Sequence, residues 1–334
     1  MTFEQIPLAD AAGRVLATQV LRASGQKILP KGRRLNQDDL TLLANAQIGQ
    51  IWVTRLAEDE MEEDEATRLL APLAVGGAVH VEANGGGKVL YFVNGRVAVL
   101  VDRRRLEDFN ASGAAVLATA PAWSVPEFGT QAAFLKTRPL AIPRATVEHW
   151  VWNLREQGPL VTLAPFQRRR VSVIYCDPVN PHRALDLLSG AVVERARQYD
   201  FSVDTHCVLE EPEILGRAIR EQAAAGHQLV ILATTSSPAV PEDVLGAAYR
   251  EAGATLESFM APVDPGALLF LGYASGTPVI AVPGCLRSRG PDVFDRILPA
   301  LLAGYRLTAA DIASLGPGGL SGAPARRLIG VMTA

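Results

Sequence analysis

Four hydroxyl side chains stand in a row at Thr234, Thr235, Ser236 and Ser237. They follow the apolar run Leu229 to Ala233 and precede a helical pattern that starts near Pro241. Hydroxyls beside unpaired backbone N–H groups at a helix N-terminus suit an anion such as phosphate, because the helix dipole and the free amides both favour negative charge. The same row also caps a helix with no ligand at all, and the spacing leaves both readings open. A second loop, Pro283-Gly284-Cys285-Leu286-Arg287-Ser288, combines a glycine that admits close backbone approach with an arginine able to pair with phosphate. It reads equally as a turn with solvated arginines. A third, Asp264-Pro265-Gly266, has a carboxylate suited to a metal or a base edge, in a sequence that is also a common turn. Cys285 has no histidine near it in sequence to activate a thiol.

These loops need elements to place them. Val171 to Cys176, Leu229 to Ala233, Leu268 to Leu271 and Val279 to Val282 are short apolar runs that read as buried strands. Phe201, Val203, Thr205 and Cys207 alternate with polar residues, as a half-buried strand does. Between them lie amphipathic helical stretches at Ala184 to Gln198, from Pro212, from Glu242 to Glu251 and around Phe294 to Leu302. Strands alternating with helices predict an α/β domain over 165–310, three-layered with a mostly parallel sheet. Ligands in such sheets sit beyond the carboxyl ends of the strands, where the hydroxyl row and the Pro-Gly loop fall.

The N-terminal half is less regular. A mixed α/β region over 1–75 is expected to be extended and then helical from Phe3 to Val20, with a helix at Gln37 to Ala44 and a strand at Gln50 to Val53. Ala57 to Leu70 reads as an acidic helix with a solvated charged face. A β-rich insert or small barrel is expected over 76–145, with Gly85 to Gly87 as a hairpin tip and Asn94-Gly95 as a hairpin turn. Residues 311–334 read as a C-terminal tail.

The chain has 334 residues, which at about 150 per domain predicts roughly two domains. Its 32 basic and 35 acidic residues give a formal charge of -3, which excludes a broadly basic nucleic-acid binder and an acidic tail protein. Three scattered cysteines and five histidines without ligand spacing argue against a disulfide framework or a zinc cluster. The first ten residues lack a signal-peptide pattern, and no apolar run approaches the roughly 18 residues of a membrane span. The expected compartment is the cytoplasm, with no membrane partner.

Two stretches, Val263 to Gly272 and Pro278 to Cys285, in that order, resemble the molybdopterin-binding domain of molybdenum-cofactor biosynthesis proteins. The opening Ile6 to Ala17, with its Gly13-Arg14-Val15-Leu16-Ala17 string, is similar to the start of molybdopterin molybdotransferases. The resemblance spans the α/β domain and parts of the N-terminal half. The sequence departs from the family at named places. Asp264 stands for a lysine, Cys285 for an asparagine, and the loop after Ala233 lacks the usual glycines. Ala23 to Pro30 occupies the place of the family's Asp-Gly segment. The resemblance implies molybdopterin, free or adenylylated, as ligand or substrate, with Mg²⁺ and molybdate for an active transferase. It implies a homodimer and other cofactor-biosynthesis proteins as partners. The implied ligand contacts are Thr234, Thr235, Ser236, Ser237, Asp264, Gly266, Pro283, Gly284, Cys285, Arg287 and Ser288. Asp243 is the implied catalytic carboxylate, and Asp243 and Glu242 are the implied metal ligands. The alternatives are an active molybdotransferase and a non-catalytic scaffold or regulator that has lost the ligand site.

Overall fold

A computed structural model describes residues 1–167, 170–281 and 292–320. The chain divides into two compact units, one of residues 1–122 and 126–164 and one of residues 123–125 and 165–334.

In the first unit, strand Thr2–Pro7 pairs antiparallel with Gln50–Arg55, and Val15–Leu16 flanks Gln50–Arg55 on its other side. Helix Gln37–Asn45 starts at Asn36, whose side chain accepts from Asp39 N–H while Asp39 accepts from Asn36 N–H, a reciprocal cap. Leu16, Leu35, Leu43 and Val53 form the small core beneath it. The expected helix before Val20 is instead one 3-10 turn, Leu8–Asp10, followed by short strands. The acidic helix is also displaced, running over Glu63–Ala74. Glu60–Glu62 is drawn into a strand with Ala141–Pro143, so tertiary pairing overrides the helical preference of the acidic block.

The rest of this unit is a four-stranded antiparallel sheet and a three-stranded one. Gly85 to Gly87 turn the hairpin between Val79–Ala83 and Lys88–Val93. Asn94-Gly95 does not make a hairpin. It links Lys88–Val93, in the four-stranded sheet, to Val97–Val101, in the three-stranded sheet with Val161–Pro165 and Val75–Gly77. Helix Arg103–Ala111 interrupts the β-rich segment, and Arg105 within it donates to Asn153 and to the carbonyls of Gln157 and Gly158.

The second unit holds a six-stranded sheet. Its elements are β1 (Arg170–Asp177), α1 (Pro181–Tyr199), β2 (Ser202–Leu209), α2 (Pro212–Ala224), β3 (Leu229–Thr234), α3 (Val244–Glu251), β4 (Thr255–Phe259), β5 (Phe270–Ala274), β6 (Thr277–Ala281), α4 (Val293–Leu302) and α5 (Ala309–Ala313). The strand order is β2-β1-β3-β6-β5-β4. The first four strands of that order are parallel, and β5 runs antiparallel to both its neighbours. This is the α/β class that the alternating pattern predicts.

Every residue of β1 after Arg170 is buried, as is all of β3, which requires cover on both faces of the sheet. On one face Leu215 and Ile219 of α2 and Leu245, Ala248 and Tyr249 of α3 pack with Ile174, Cys176, Val230 and Leu232. Each buried leucine, isoleucine or valine among them contributes about 1.5–3 kcal/mol. Elsewhere in the unit, Arg195 of α1 is buried and ion-paired to Asp292 and Asp295 at the start of α4. Pro181 and Pro212 open α1 and α2 at a position where a missing N–H costs nothing. Strand β4 has no counterpart in the sequence reading. Its Thr-Leu-Glu-Ser-Phe is an edge strand, half-buried and without a continuous apolar run.

Candidate functional site

Strand β1 leads through α1 to β2 on one side of the sheet, and β3 leads through α3 to β4 on the other. Their carboxyl ends are adjacent, with Cys176 opposite Thr234. This is the topological switch point where open α/β sheets bind ligands. Asp177 ends β1, Glu210 follows β2, and Thr234 to Ser237 run off β3. The Asp264 loop reaches the same edge, because Leu232 pairs with Ala281, Ala281 with Phe270 and Phe270 with Phe259. The segment 260–269 therefore turns over the carboxyl ends of the parallel strands.

Asp177 is wholly inaccessible to solvent. One carboxylate oxygen accepts the N–H groups of Val179 and Asn180, each at 2.9 Å. The other accepts the Thr235 hydroxyl and lies 3.6 Å from Arg183 Nη1. The Thr235 hydroxyl first, then the two backbone N–H groups, hold its carboxyl at about 2 against the opposing effect of burial. Glu210 is also buried, and the hydroxyls of Thr234 (2.6 Å) and Ser236 (3.0 Å) both donate to its Oε2. Its carboxyl moves the other way. Burial pushes it up, the two hydroxyls only partly offset this, and the charges of Asp177 and Asp243 raise it further. Two carboxyls on one edge are thus driven apart, Asp177 downward and Glu210 upward.

Asp243 is the N-cap of α3. One of its oxygens accepts Val244 N–H at 2.6 Å and the other Ala239 N–H at 3.1 Å. Glu242 beside it is exposed. Asp264 is exposed, and its N–H donates to the Gly319 carbonyl. Gly266 is buried with φ +122°, and a Cβ there would lie 2.5 Å from Val293 Cγ1, so the approach of α4 demands a glycine. Ser237 is exposed. Pro283, Gly284, Cys285, Arg287 and Ser288 lie outside the described residues. Among the described residues no group of three or more His, Cys, Asp or Glu side chains is placed to hold a metal ion. Burial first of all raises the Cys176 thiol, so it behaves as a core residue.

Asp177, Asn180, Arg183 and Glu210 are the members of this cluster that the sequence reading passes over. In sequence, Asp177-Pro178 only ends the first apolar run, and Pro212 opens the helix that follows Glu210. The available signal was their position directly after apolar runs, the same criterion that singled out the hydroxyl row. A groove of about 560 Å³ lies along the same unit, between Phe259 to Pro262 and Ala309 to Ala313, and the cluster does not line it.

No family model matches the chain, and a comparison with curated proteins gives no match. Comparison with solved structures returns a molybdenum cofactor biosynthesis protein from Pyrococcus furiosus, at 14% identity, TM-score 0.25, with 92% of this chain and 66% of that one covered. The chain thus spans just under two thirds of that protein's length. It also returns a molybdopterin biosynthesis MoeA protein from Pyrococcus horikoshii, at 15% identity, TM-score 0.31, with 91% and 75% covered. At these scores the likeness carries no argument by itself, and the fold class rests on the sheet order and register given above.

Proposed function

We propose that this chain is a molybdopterin-binding protein of molybdenum-cofactor biosynthesis or handling, which receives the pterin phosphate at the carboxyl edge of its six-stranded sheet. The observation that carries this reading is convergence. The loops holding Asp177, Glu210 and Thr234 to Ser237 meet beside the switch point between β1 and β3, and the Asp264 loop lies at the same end of the sheet. One of those loops, that of Asp264, belongs to the Val263 to Gly272 stretch that resembles the molybdopterin-binding domain. Adenylylated molybdopterin is the second candidate ligand, and a homodimer and other proteins of the same pathway are the partners the reading implies.

An active molybdotransferase is the enzyme form of this proposal. Mg²⁺ is usually held by one or two carboxylates together with substrate phosphates. Asp243 and Glu242 would supply oxygens of that kind, with substrate phosphate and water completing the shell. A divalent ion there would offset charge on a phosphate and on molybdate. Asp243 must then exchange its cap to Ala239 for the ion.

Isothermal titration with molybdopterin and with its adenylylated form tests the binding reading, and no binding at high micromolar ligand overturns it. Complementation of a molybdotransferase-deficient strain separates the enzyme from the binding protein. One observation favours a second reading, a scaffold or regulator without a pterin site. Three of the four loop hydroxyls already donate to Asp177 and Glu210. A chain that fails both titrations while remaining folded is such a protein.

A further inference from the structure

The loop after β3 has three of its four hydroxyls committed to its own neighbours. The Thr235 hydroxyl goes to Asp177, and those of Thr234 and Ser236 go to Glu210. The N–H of Ser236 is accepted by the Thr234 hydroxyl, and those of Ala239 and Val244 by Asp243. A phosphate arriving at this loop meets occupied donors above a layer of carboxylates. The first turn of α1 is similarly closed. Pro181 has no N–H, the His182 N–H goes to the Asn180 side chain, and the Arg183 N–H goes to the Asn180 carbonyl.

The Arg183 guanidinium is different. Among the described residues it is the one basic side chain in ion-pair contact with the cluster. Its Nη1 stands 3.6 Å from Asp177, while the side chain is 59% exposed, so part of its five-donor fork remains open to solvent. Val179 lies four residues before it, in the loop between β1 and α1, and is 81% exposed, an apolar surface with no place in the core.

We propose that Arg183, in the first turn of α1, receives the phosphate of this protein's ligand, with Val179 of the preceding loop as an apolar contact for the remainder of the molecule. This rests on the pterin-phosphate reading and moves the grip from the hydroxyl row to a different loop. The chemistry is that of a planar guanidinium, whose paired N–H groups match two phosphate oxygens at once. Asp177 stands 3.6 Å from one Nη of the fork and leaves the rest of it open to solvent.

The test is isothermal titration of the full chain with pyrophosphate and, separately, with adenylylated molybdopterin. The variants are Arg183→Gln, Arg183→Lys and, as a charge control at the far end of α1, Arg197→Gln. Arg183→Gln is expected to weaken both ligands about ten- to a hundredfold, the range of a charge-assisted hydrogen bond. Arg183→Lys should fall between, and Arg197→Gln should stay within about twofold, since salt screens a charge that far away. Binding of adenylylated molybdopterin that is indifferent to Arg183→Gln overturns the assignment to Arg183 and leaves the proposed function standing. Arg183-dependent binding of pyrophosphate without binding of the pterin supports the assignment and overturns the proposed function. Wild type binding neither ligand overturns both.

Discussion

Replacing Glu210 by glutamine should not destabilise this protein at neutral pH, whereas replacing it by alanine should. The alanine variant leaves the Thr234 hydroxyl, which is only 1% exposed, without its acceptor. A buried unsatisfied hydroxyl costs about 1–3 kcal/mol. The Ser236 hydroxyl is partly exposed and can turn to water, adding about 1 kcal/mol or less. Glutamine keeps an oxygen for both hydroxyls and has no charge to bury. The pH dependence gives a second readout. Burial raises the Glu210 carboxyl, so its contribution is whole below its unfolded value of about 4.3 and is lost as pH rises through the folded value. The wild type should therefore lose ground to Glu210→Gln as pH rises above about 4.3. Urea unfolding midpoints across that range, followed by circular dichroism, measure the difference. A glutamine variant as unstable as the alanine variant at pH 7 refutes the reasoning, and so does a wild-type-minus-glutamine difference that is flat with pH.

Thr235→Val removes the largest single cause of the low Asp177 value, so its effect lies at the acid end. A depressed carboxylate stabilises above its unfolded value of about 3.9 and loses that contribution as pH falls towards about 2. The valine variant should show a shallower loss of midpoint between those limits, and an unchanged acid profile contradicts the assignment. Asp243→Ala should cost about 1 kcal/mol as a lost helix cap, and Asp243→Ser much less, by urea titration. If the serine variant is as stable as wild type but fails in complementation where wild type succeeds, the carboxylate itself is required. Gly246→Ala places a methyl 1.6 Å from the Pro241 carbonyl oxygen and must displace α3 or the loop before it. It should lower stability by about 1–3 kcal/mol, and a thermal midpoint equal to wild type shows the approach to be looser than described.

The α/β unit is legible in the sequence because its central strands are buried on both faces. Val171 to Cys176 and Leu229 to Ala233 have no polar side chain that solvent needs, apart from Ser172. Half-buried elements carry less signal, which is why Thr255 to Phe259 escapes and why the acidic block around Glu60 is read as helix. The candidate site is legible in outline and not in its pairings. The hydroxyl row announces itself by composition. That its hydrogens go to Asp177 and Glu210 depends on which strands are neighbours, and Glu210 lies 24 positions from Thr234 along the chain. Residue type alone presents Thr235 as an open donor, and only the register of β1 beside β3 shows its hydrogen already in use.

The closed pairing of Thr234, Thr235 and Ser236 with two carboxylates also constrains how this edge can change by mutation. Glycine at Thr235 would strip a buried Asp177 oxygen of its hydroxyl donor, and glycine at both Thr234 and Ser236 would do the same to Glu210 Oε2. Removing either acid first would strand a hydroxyl instead. A route from this edge to an open, glycine-lined cradle therefore passes through less stable sequences unless donor and acceptor change together. Single-substitution libraries should rank these five positions among the least tolerant on the edge, and double substitutions pairing Thr234 with Glu210 or Thr235 with Asp177 should recover what each single change loses.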